Sequence, residues 1–415
     1  MNILFVHQNM PGQYREMLRY LGNQRRHRIV FLTQREKVEP VAGVTVARYR
    51  PHHRPGEDAY ALSRHFEESM GTALGAMLAC RKIAAEGFRP DIVIGHAGWG
   101  ELTFLKHVWP DVPIIGYWEY YYITNGGSVG FDPEFPPAES SPQVLMSRNA
   151  LSHLCLPQID LGQCPTDWQM GTYPPEFRAK SYVCHEGVRT DLLRPNPEAA
   201  VPLARLDHPL TRADEVFTYM ARNMEPARGF HIFMRSLPAI LDARPNARAL
   251  IIGGSEVSYS GAAPAEGGYR GQMERELGDR IDWDRVHFLG RVTYSDFQRV
   301  IQISRCHVYL TVPFVLSWSL LEAMAMGATV VASDTAPVRE VIRHGETGLL
   351  VDFLSPDALA RQVIEVLTHP QDFAPLGPAA RADVVDRFDF QTRTRPVHLA
   401  RMNDLLPRRL RVEID

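Results

Sequence analysis

The stretch 308–334, VYLTVPFVLSWSLLEAMAMGATVVASD, is apolar almost throughout. It carries one carboxylate before its last residue: Glu322, set among Leu320, Leu321, Ala323 and Met324. A carboxylate in such a helix needs partners, and two sets fit the spacing. Ser319 stands three residues earlier, so Glu322 can close a capping box by accepting from the Ser319 backbone N–H. Alternatively, the strand over 306–310 ends at a ligand cleft and the loop TVPFVLSWS offers its amides to a phosphate or a sugar. Glu322 then accepts both hydroxyls of a vicinal diol such as a ribose, which its two oxygens allow. Upstream, an expected strand over 216–220 runs into ARNMEPARGFHIFMRSLPAI. Arg222 leaves the strand end, and Arg228 immediately precedes Gly229 at the start of the next helix. Two guanidiniums beside a helix N-terminus form a diphosphate clamp; the plainer alternative is a pair of solvated loop arginines. His96 follows an apolar strand and precedes a Gly-rich turn, where it is either a hydrogen-bonded structural histidine or a functional one. Asp282-x-Asp284 has the spacing of a metal-binding pair but falls in a helix-to-strand loop, so no essential metal is expected.

The elements that must position these residues alternate along the chain. Expected strands lie at 3–6, 29–32, 91–94, 113–117 and 181–184, then at 216–220, 249–252, 286–289, 306–310, 329–332 and 349–351. Helical patterns separate most of them, which is the signature of parallel sheets covered by helices. The segment 194–215 is rich in Pro and charge without a sustained period and reads as a linker. With 415 residues and 45% hydrophobic content, the chain suits two α/β domains. The first spans 1–200, with about 390–415 returning to it, and the second spans 212–388. Ligands in such sheets bind beyond the carboxyl ends of the strands, so a cleft between the domains is the expected site. The loops YYITNGGSVGFDPEFPPAESSPQ from Tyr121 and GGSEVSYSGAAPAEGGYRGQ from Gly253 read as lids or binding loops, or equally as disordered insertions.

Composition excludes several classes. A net charge of −3 gives no bulk basic field, which argues against nucleic acid as the partner. Five scattered cysteines, Cys80, Cys155, Cys164, Cys184 and Cys306, fit buried thiols in a reducing compartment. The N-terminus MNILFVHQNMPGQ reads as a strand and not a signal peptide. No run of about 18 apolar residues could span a bilayer, and a cytoplasmic protein is expected. The clusters RRHR (25–28) and RRLR (408–411) are either solvated charge or a weak peripheral contact with the inner membrane face. No G-x-G-x-x-G opens a helix after the first strand, which disfavours a dinucleotide-dependent oxidoreductase.

ARNMEPARGF, RVHFLGRV, LLEAMAMGATVVASDTAPVREVI and HGETGLLVD, in this order and spacing, resemble the nucleotide-sugar domain of family 4 retaining glycosyltransferases. RFDFQTRTRPV resembles the family's late helix, and ILFVHQNMPGQYRE, PDIVIGHAGWGE and CHEGVRTDLLRP match its first half more loosely. The resemblance implies the GT-B fold: two Rossmann-like domains facing each other across a cleft, with a C-terminal helix crossing back to the first. It places Arg222 and Arg228 on the donor diphosphate and Glu322 on the ribose. Arg291 and Val292 fall where the chain meets the nucleobase, Gly12 in the loop near the donor sugar and phosphates, and His96 near the transferred sugar. Backbone amides of Leu316, Ser317, Trp318 and Ser319 are further donor contacts. The family's glutamate eight positions before Glu322 is here Phe314, so a carboxylate that contacts the donor sugar in the family is missing. For the acceptor, Trp118 and Tyr120 offer stacking rings and Glu119 a carboxylate; packing and solvation are the plainer alternatives.

The resemblance implies transfer of a sugar from a nucleotide sugar, UDP-linked by default, to a hydroxyl of a glycan, lipid-linked or small-molecule acceptor. Configuration is retained and no cofactor is needed. A nucleotide-sugar epimerase of the same fold remains an alternative, as does a non-catalytic nucleotide- or sugar-binding homologue without the first glutamate.

Overall fold

The computed structural model describes residues 1–414 except Arg205 and Ala265. Those two positions of the expected linker and second long loop, and the terminal Asp415, lie outside the described residues. The chain forms two compact units. Unit 1 comprises Met1–Asn125, Pro137–Gly187 and Phe390–Asp415; unit 2 comprises Gly126–Pro136 and Val188–Asp389.

Unit 1 is built on seven parallel strands: β1 Asn2–Val6, β2 Arg28–Thr33, β3 Val44–Arg48, β4 Ile92–His96, β5 Ile114–Tyr117, β6 Leu161–Cys164 and β7 Ser181–Val183, in the order β3-β2-β1-β4-β5-β6-β7. Ile3, Leu4, Phe5 and Val6 are all fully buried, because helices cover both faces of the sheet. Such strands therefore read as continuous apolar runs, without alternation. One face packs against the helix Arg15–Asn23 and the C-terminal helix Arg395–Leu405, through Leu18, Leu21, Leu399 and Met402. The other packs against Ala61–Ala85 and Ser141–Cys155, through Ala76, Cys80 and Leu151. Full burial of each large apolar side chain is worth about 1.5–3 kcal/mol.

Unit 2 repeats the scheme with six parallel strands: β8 Val216–Asn223, β9 Arg248–Gly254, β10 Val286–Gly290, β11 Cys306–Tyr309, β12 Val330–Ser333 and β13 Leu349–Val351, in the order β10-β9-β8-β11-β12-β13. In each sheet the order of strands reverses once, between β1 and β4 in unit 1 and between β8 and β11 in unit 2. At such a point the loops leave the sheet in opposite directions and open a crevice at the strands' carboxyl ends. His7 and His96 leave β1 and β4 there; Arg222, Arg228 and Thr311 leave β8 and β11.

The structure departs from the sequence-based expectations in three places. Strands β3 and β6 were not expected. The first is an edge strand, VTVAR, with no buried residue. The second, LGQC, is four residues long and half polar. The supposed linker is folded: Val201 and Leu210 pair as an antiparallel bridge, and both join Ala199 and Leu193 in the core of unit 2. Apolar residues spaced too irregularly to show a period still suffice to fasten it. Residues 126–136 also belong to unit 2, which corrects the first boundary. His231 Nε2 stands 2.8 Å from Asp132 Oδ2, Arg235 donates to Glu134 at 2.8 Å, and Phe131 and Phe135 pack on Phe353 and His231. Among the described residues no helix is long and apolar enough to cross a membrane.

Burial lowers the pKa of His307 and of His398 to about 4. Both are neutral when folded and take up a proton when unfolded below their ordinary pKa. Stability is thus complete above about pH 6.5 and is lost progressively as the pH falls towards 4, by about 2 kcal/mol per histidine at pH 5. His307 lies 2.8 Å from the Thr218 hydroxyl through Nδ1, a contact that asparagine can retain. Denaturant unfolding of H307N at pH 7 and pH 5 should show a smaller loss on acidification than the native protein, by about 2 kcal/mol.

Candidate functional site

In unit 2 the site is built around Arg228. The helix Phe230–Ala243 begins at Gly229, whose φ of +65° and closeness to Leu310, 2.5 Å from where a Cβ would stand, leave room only for glycine. Tyr219 on β8 donates to the Arg228 carbonyl at 2.7 Å. These contacts turn the Arg228 side chain inwards, where the residue is only 6% exposed. Its Nη1 donates to Thr311 Oγ1 at 2.7 Å and to the Val315 carbonyl at 3.1 Å. Its guanidinium carbon lies 5.1 Å from the centre of the Tyr259 ring and 5.9 Å from that of Phe314. Among the described residues no carboxylate forms an ion pair with it.

The long loop after β9 is shaped by a residue that sequence reasoning missed. Glu225 is fully buried, and its Oε2 accepts from three consecutive backbone amides, Ser258 at 3.1 Å, Tyr259 at 2.9 Å and Ser260 at 2.8 Å. Asn223 donates to the Ser258 hydroxyl at 2.7 Å, and the Ser260 hydroxyl accepts from the Ala227 amide at 3.0 Å. The loop is therefore latched to the end of β8, with Tyr259 laid on Arg228. The signal was present in EPARGF as a carboxylate before a proline, but nothing local tied it to residues 33 to 35 positions away.

The other expected donor contacts fall as follows. Arg222 stands exposed at the end of β8, with no partner among the described residues. The helix Trp318–Ala325 is capped by Ser317, whose hydroxyl accepts from the Ser319 amide at 3.4 Å. Glu322 thus sits in the second turn, too far along to close a capping box, which removes that one of its two alternatives. It is 7% exposed, and its Oε1 accepts from Tyr294 at 2.7 Å. Of the amides expected to face a ligand, that of Ser317 donates to the Tyr309 hydroxyl at 2.9 Å and that of Ser319 serves the cap. Leu316 packs on the core of unit 2 and Trp318 is 36% exposed. Arg291 pairs with Glu256 and with Asn223 Oδ1, and Val292 packs partly buried on the core. Asp282 caps its own turn and pairs with Arg285 at 2.9 Å, which gives this carboxylate a structural task.

In unit 1 the switch point gathers His7, Gly12, Gln13, His96 and Glu119. His96 is 1% exposed; its Nδ1 accepts from the Gly98 amide at 3.0 Å, so Nε2 carries the proton and faces Glu119 Oε2 at 3.4 Å. Gln13 donates to Glu119 Oε1 at 3.2 Å. His7 meets His96 edge-on, with ring centres 5.2 Å apart; burial, and then His96, hold its pKa well below the usual histidine range. Gly12, with φ of +55°, lies against the His7 ring. The expectation for Trp118 is corrected: it is 1% exposed, packed in the core between Tyr173 and Phe177, and has no face for an acceptor. Tyr120 is half-buried and stacks on Trp168.

Two parallel-sheet units with polar side chains gathered at their switch points define a GT-B architecture. Residues 25–193 match the family model for the glycosyl transferase family 4 group, and residues 207–383 match that for glycosyl transferases group 1. The chain belongs to the family 4 type of glycosyltransferases. It is 30% identical over 235 residues to the D-inositol 3-phosphate glycosyltransferase of Streptomyces scabiei, an alignment covering 54% of this chain and 50% of that one. The chain spans about half the length of the curated relatives it matches. Its fold is similar to that of Anabaena HepE in complex with UDP and glucose (TM-score 0.67, 15% identity, 97% of this chain and 100% of that one). It is likewise similar to sucrose-phosphate synthase from Thermosynechococcus elongatus (TM-score 0.69, 15% identity, 97% and 98%).

Glu225→Ala should release the loop, because three amides lose their common acceptor. Unfolding free energy should fall by about 2–3 kcal/mol, and the amide protons of Ser258, Tyr259 and Ser260 should exchange at open-loop rates. Exchange that remains slow would show that the carboxylate is not the latch.

Proposed function

We propose that the protein is a retaining, metal-independent glycosyltransferase that moves a sugar from a nucleoside-diphosphate donor, UDP-linked, to a hydroxyl of a glycan, lipid-linked or small-molecule acceptor. The observation that carries this reading is the burial of Arg228 with no carboxylate partner among the described residues. A buried guanidinium stays charged, and burying a charge is costly unless an anion or a full set of acceptors compensates it. Its neighbours supply a hydroxyl, a carbonyl and two ring faces, which hold the cation without neutralising it. A diphosphate supplies the missing charge. Association of UDP with the HepE structure, whose fold this chain shares, is the ground for choosing uridine.

On this reading Arg228 stabilises the charge that develops on the departing diphosphate. Arg222 adds a second, exposed cation at the same strand end. Glu322, braced by Tyr294, is the carboxylate for the ribose hydroxyls, and Arg291 and Val292 border the nucleobase. Retention follows if the leaving phosphate accepts the proton of the incoming hydroxyl on the same face of the sugar, with an oxocarbenium-like species between. No protein nucleophile is then required. Phe314 leaves the cation site intact and adds an aromatic wall to it, its ring centre 5.9 Å from the Arg228 guanidinium carbon. In unit 1, Glu119 orients the acceptor hydroxyl and is itself oriented by His96 and Gln13; His96 is the positioning residue of that pair.

UDP should raise the melting temperature of the native protein, and Arg228→Ala should abolish the shift. Initial rates with UDP-sugars at saturating donor should fall about 10²-fold in R228A, whereas Arg228→Lys, which keeps charge but loses the planar fork, should fall between the two. Full turnover in R228A would overturn the assignment. Tyr294→Phe should weaken donor binding several-fold and leave kcat nearly unchanged, since it removes a brace on the ribose contact and nothing at the reacting centre.

A further inference from the structure

A tryptophan stands in the open at the switch point of unit 1, and neither the expected acceptor contacts nor the mechanism uses it. Trp99 is 37% exposed. Its ring is stacked on the buried His96, with centres 5.8 Å apart and planes 29° apart. His96 is in turn enclosed by His7 at 5.2 Å and by Tyr117 at 5.4 Å, so the indole rests on a fixed aromatic base.

The turn that carries it is fixed on its C-terminal side. Gly100 has φ of +104°, and a Cβ there would stand 2.3 Å from the Ser69 carbonyl oxygen, so no side chain can replace it. The next residue, Glu101, is fully buried and accepts from the Tyr49 hydroxyl at 2.8 Å, while Gln34 donates to that hydroxyl at 3.0 Å. Burial raises the pKa of Glu101 above the ordinary carboxylate range. The turn is thus tied to the interior on one side of Trp99 and forced into an otherwise disfavoured backbone shape at Gly100, while the indole itself is left exposed. The part of the indole left in water is held rigidly, and stacking under a ligand ring would bury it at little cost in side-chain freedom.

The second flank of His96 is polar. Glu119, 30% exposed in its side chain, faces His96 Nε2 through one oxygen and accepts from Gln13 through the other. One imidazole therefore carries an indole on its face and a carboxylate at its Nε2 edge. The indole offers its outer face to the C–H face of a saturated ring, and the hydroxyls on that ring's edge require polar partners of the kind the switch point carries. We propose that Trp99 is the stacking platform for the acceptor, and that the acceptor group received by unit 1 is a pyranose or cyclitol ring and not an acyclic polyol or an alkyl chain. This deepens the proposed function and rests on it.

Saturation-transfer NMR tests the assignment without knowledge of the natural acceptor. The probes are methyl α-D-mannopyranoside, methyl α-D-glucopyranoside and myo-inositol, with sorbitol and glycerol as acyclic controls and UDP as an internal reference. In the native protein at least one cyclic probe should receive saturation, strongest on the C–H protons of one ring face, and the acyclic controls should not. Trp99→Ala should weaken that probe by about tenfold, Trp99→Phe should restore most of the binding, and the UDP signal should be equal in all three proteins. Loss of UDP binding in the native protein would sink the proposed function itself. Intact UDP binding with cyclic probes that are unbound, or bound equally by W99A, would overturn the role of Trp99 alone. A W99A protein that also loses UDP binding has misfolded, and the comparison of native protein with W99F then decides: a ring-probe affinity lowered in W99F with UDP unchanged supports the platform, and an unchanged affinity overturns it.

Discussion

A buried cation that forms no ion pair among the described residues is the constraint around which unit 2 is arranged. The Arg228 guanidinium costs several kcal/mol to remove from water, and the fold offsets this with contacts that do not neutralise it: Thr311 Oγ1, the Val315 carbonyl, and the faces of Tyr259 and Phe314. Each of those contacts depends on another element being in place. Thr311 is held at the end of β11 by reciprocal bonds with Ser333 on β12. Tyr259 arrives only because Glu225 gathers three amides of its loop. The positive field at the strand ends is thus a property of the assembled sheet, with Gly229 setting the direction of the side chain at its origin.

Unit 1 solves a different problem with the same topology. Its switch point holds two imidazoles, a glutamine and the Glu119 carboxylate, arranged so that each orients the next: the Gly98 amide orients His96, and His96 with Gln13 orients Glu119. Such a chain suits recognition of hydroxyl groups, for which directional acceptors matter more than net charge. Arginine belongs to the switch point of one sheet and histidine to that of the other. The division follows from which side chains leave β1, β4, β8 and β11.

Much of the architecture was legible in the sequence because parallel strands buried on both faces read as apolar runs, and eleven such runs were visible. The two strands that escaped notice lack that signature. In β3 no residue is buried because it lies at the sheet edge; β6 contains glycine and glutamine, whose burial is decided by neighbours such as Trp118 and Cys184. The folded linker and the docking of residues 126–136 on unit 2 were equally invisible. They depend on pairings such as Asp132 with His231, separated by about a hundred positions, which no local period records.

The same distinction holds at the sites. Local sequence determined that an arginine precedes the helix-starting glycine, that a glutamate interrupts an apolar helix, and that a histidine ends the fourth strand, because these follow from residue type and spacing along one element. Tertiary structure alone decided that Arg228 turns inwards while Arg222 remains exposed, that Ser317 and not Ser319 caps its helix, and that Glu225 organises a loop more than thirty residues away. It also decided between tryptophans: Trp118 is enclosed by Tyr173 and Phe177, whereas Trp99 is held outward on His96. Exposure, unlike periodicity, is set by what the rest of the chain brings to the same place.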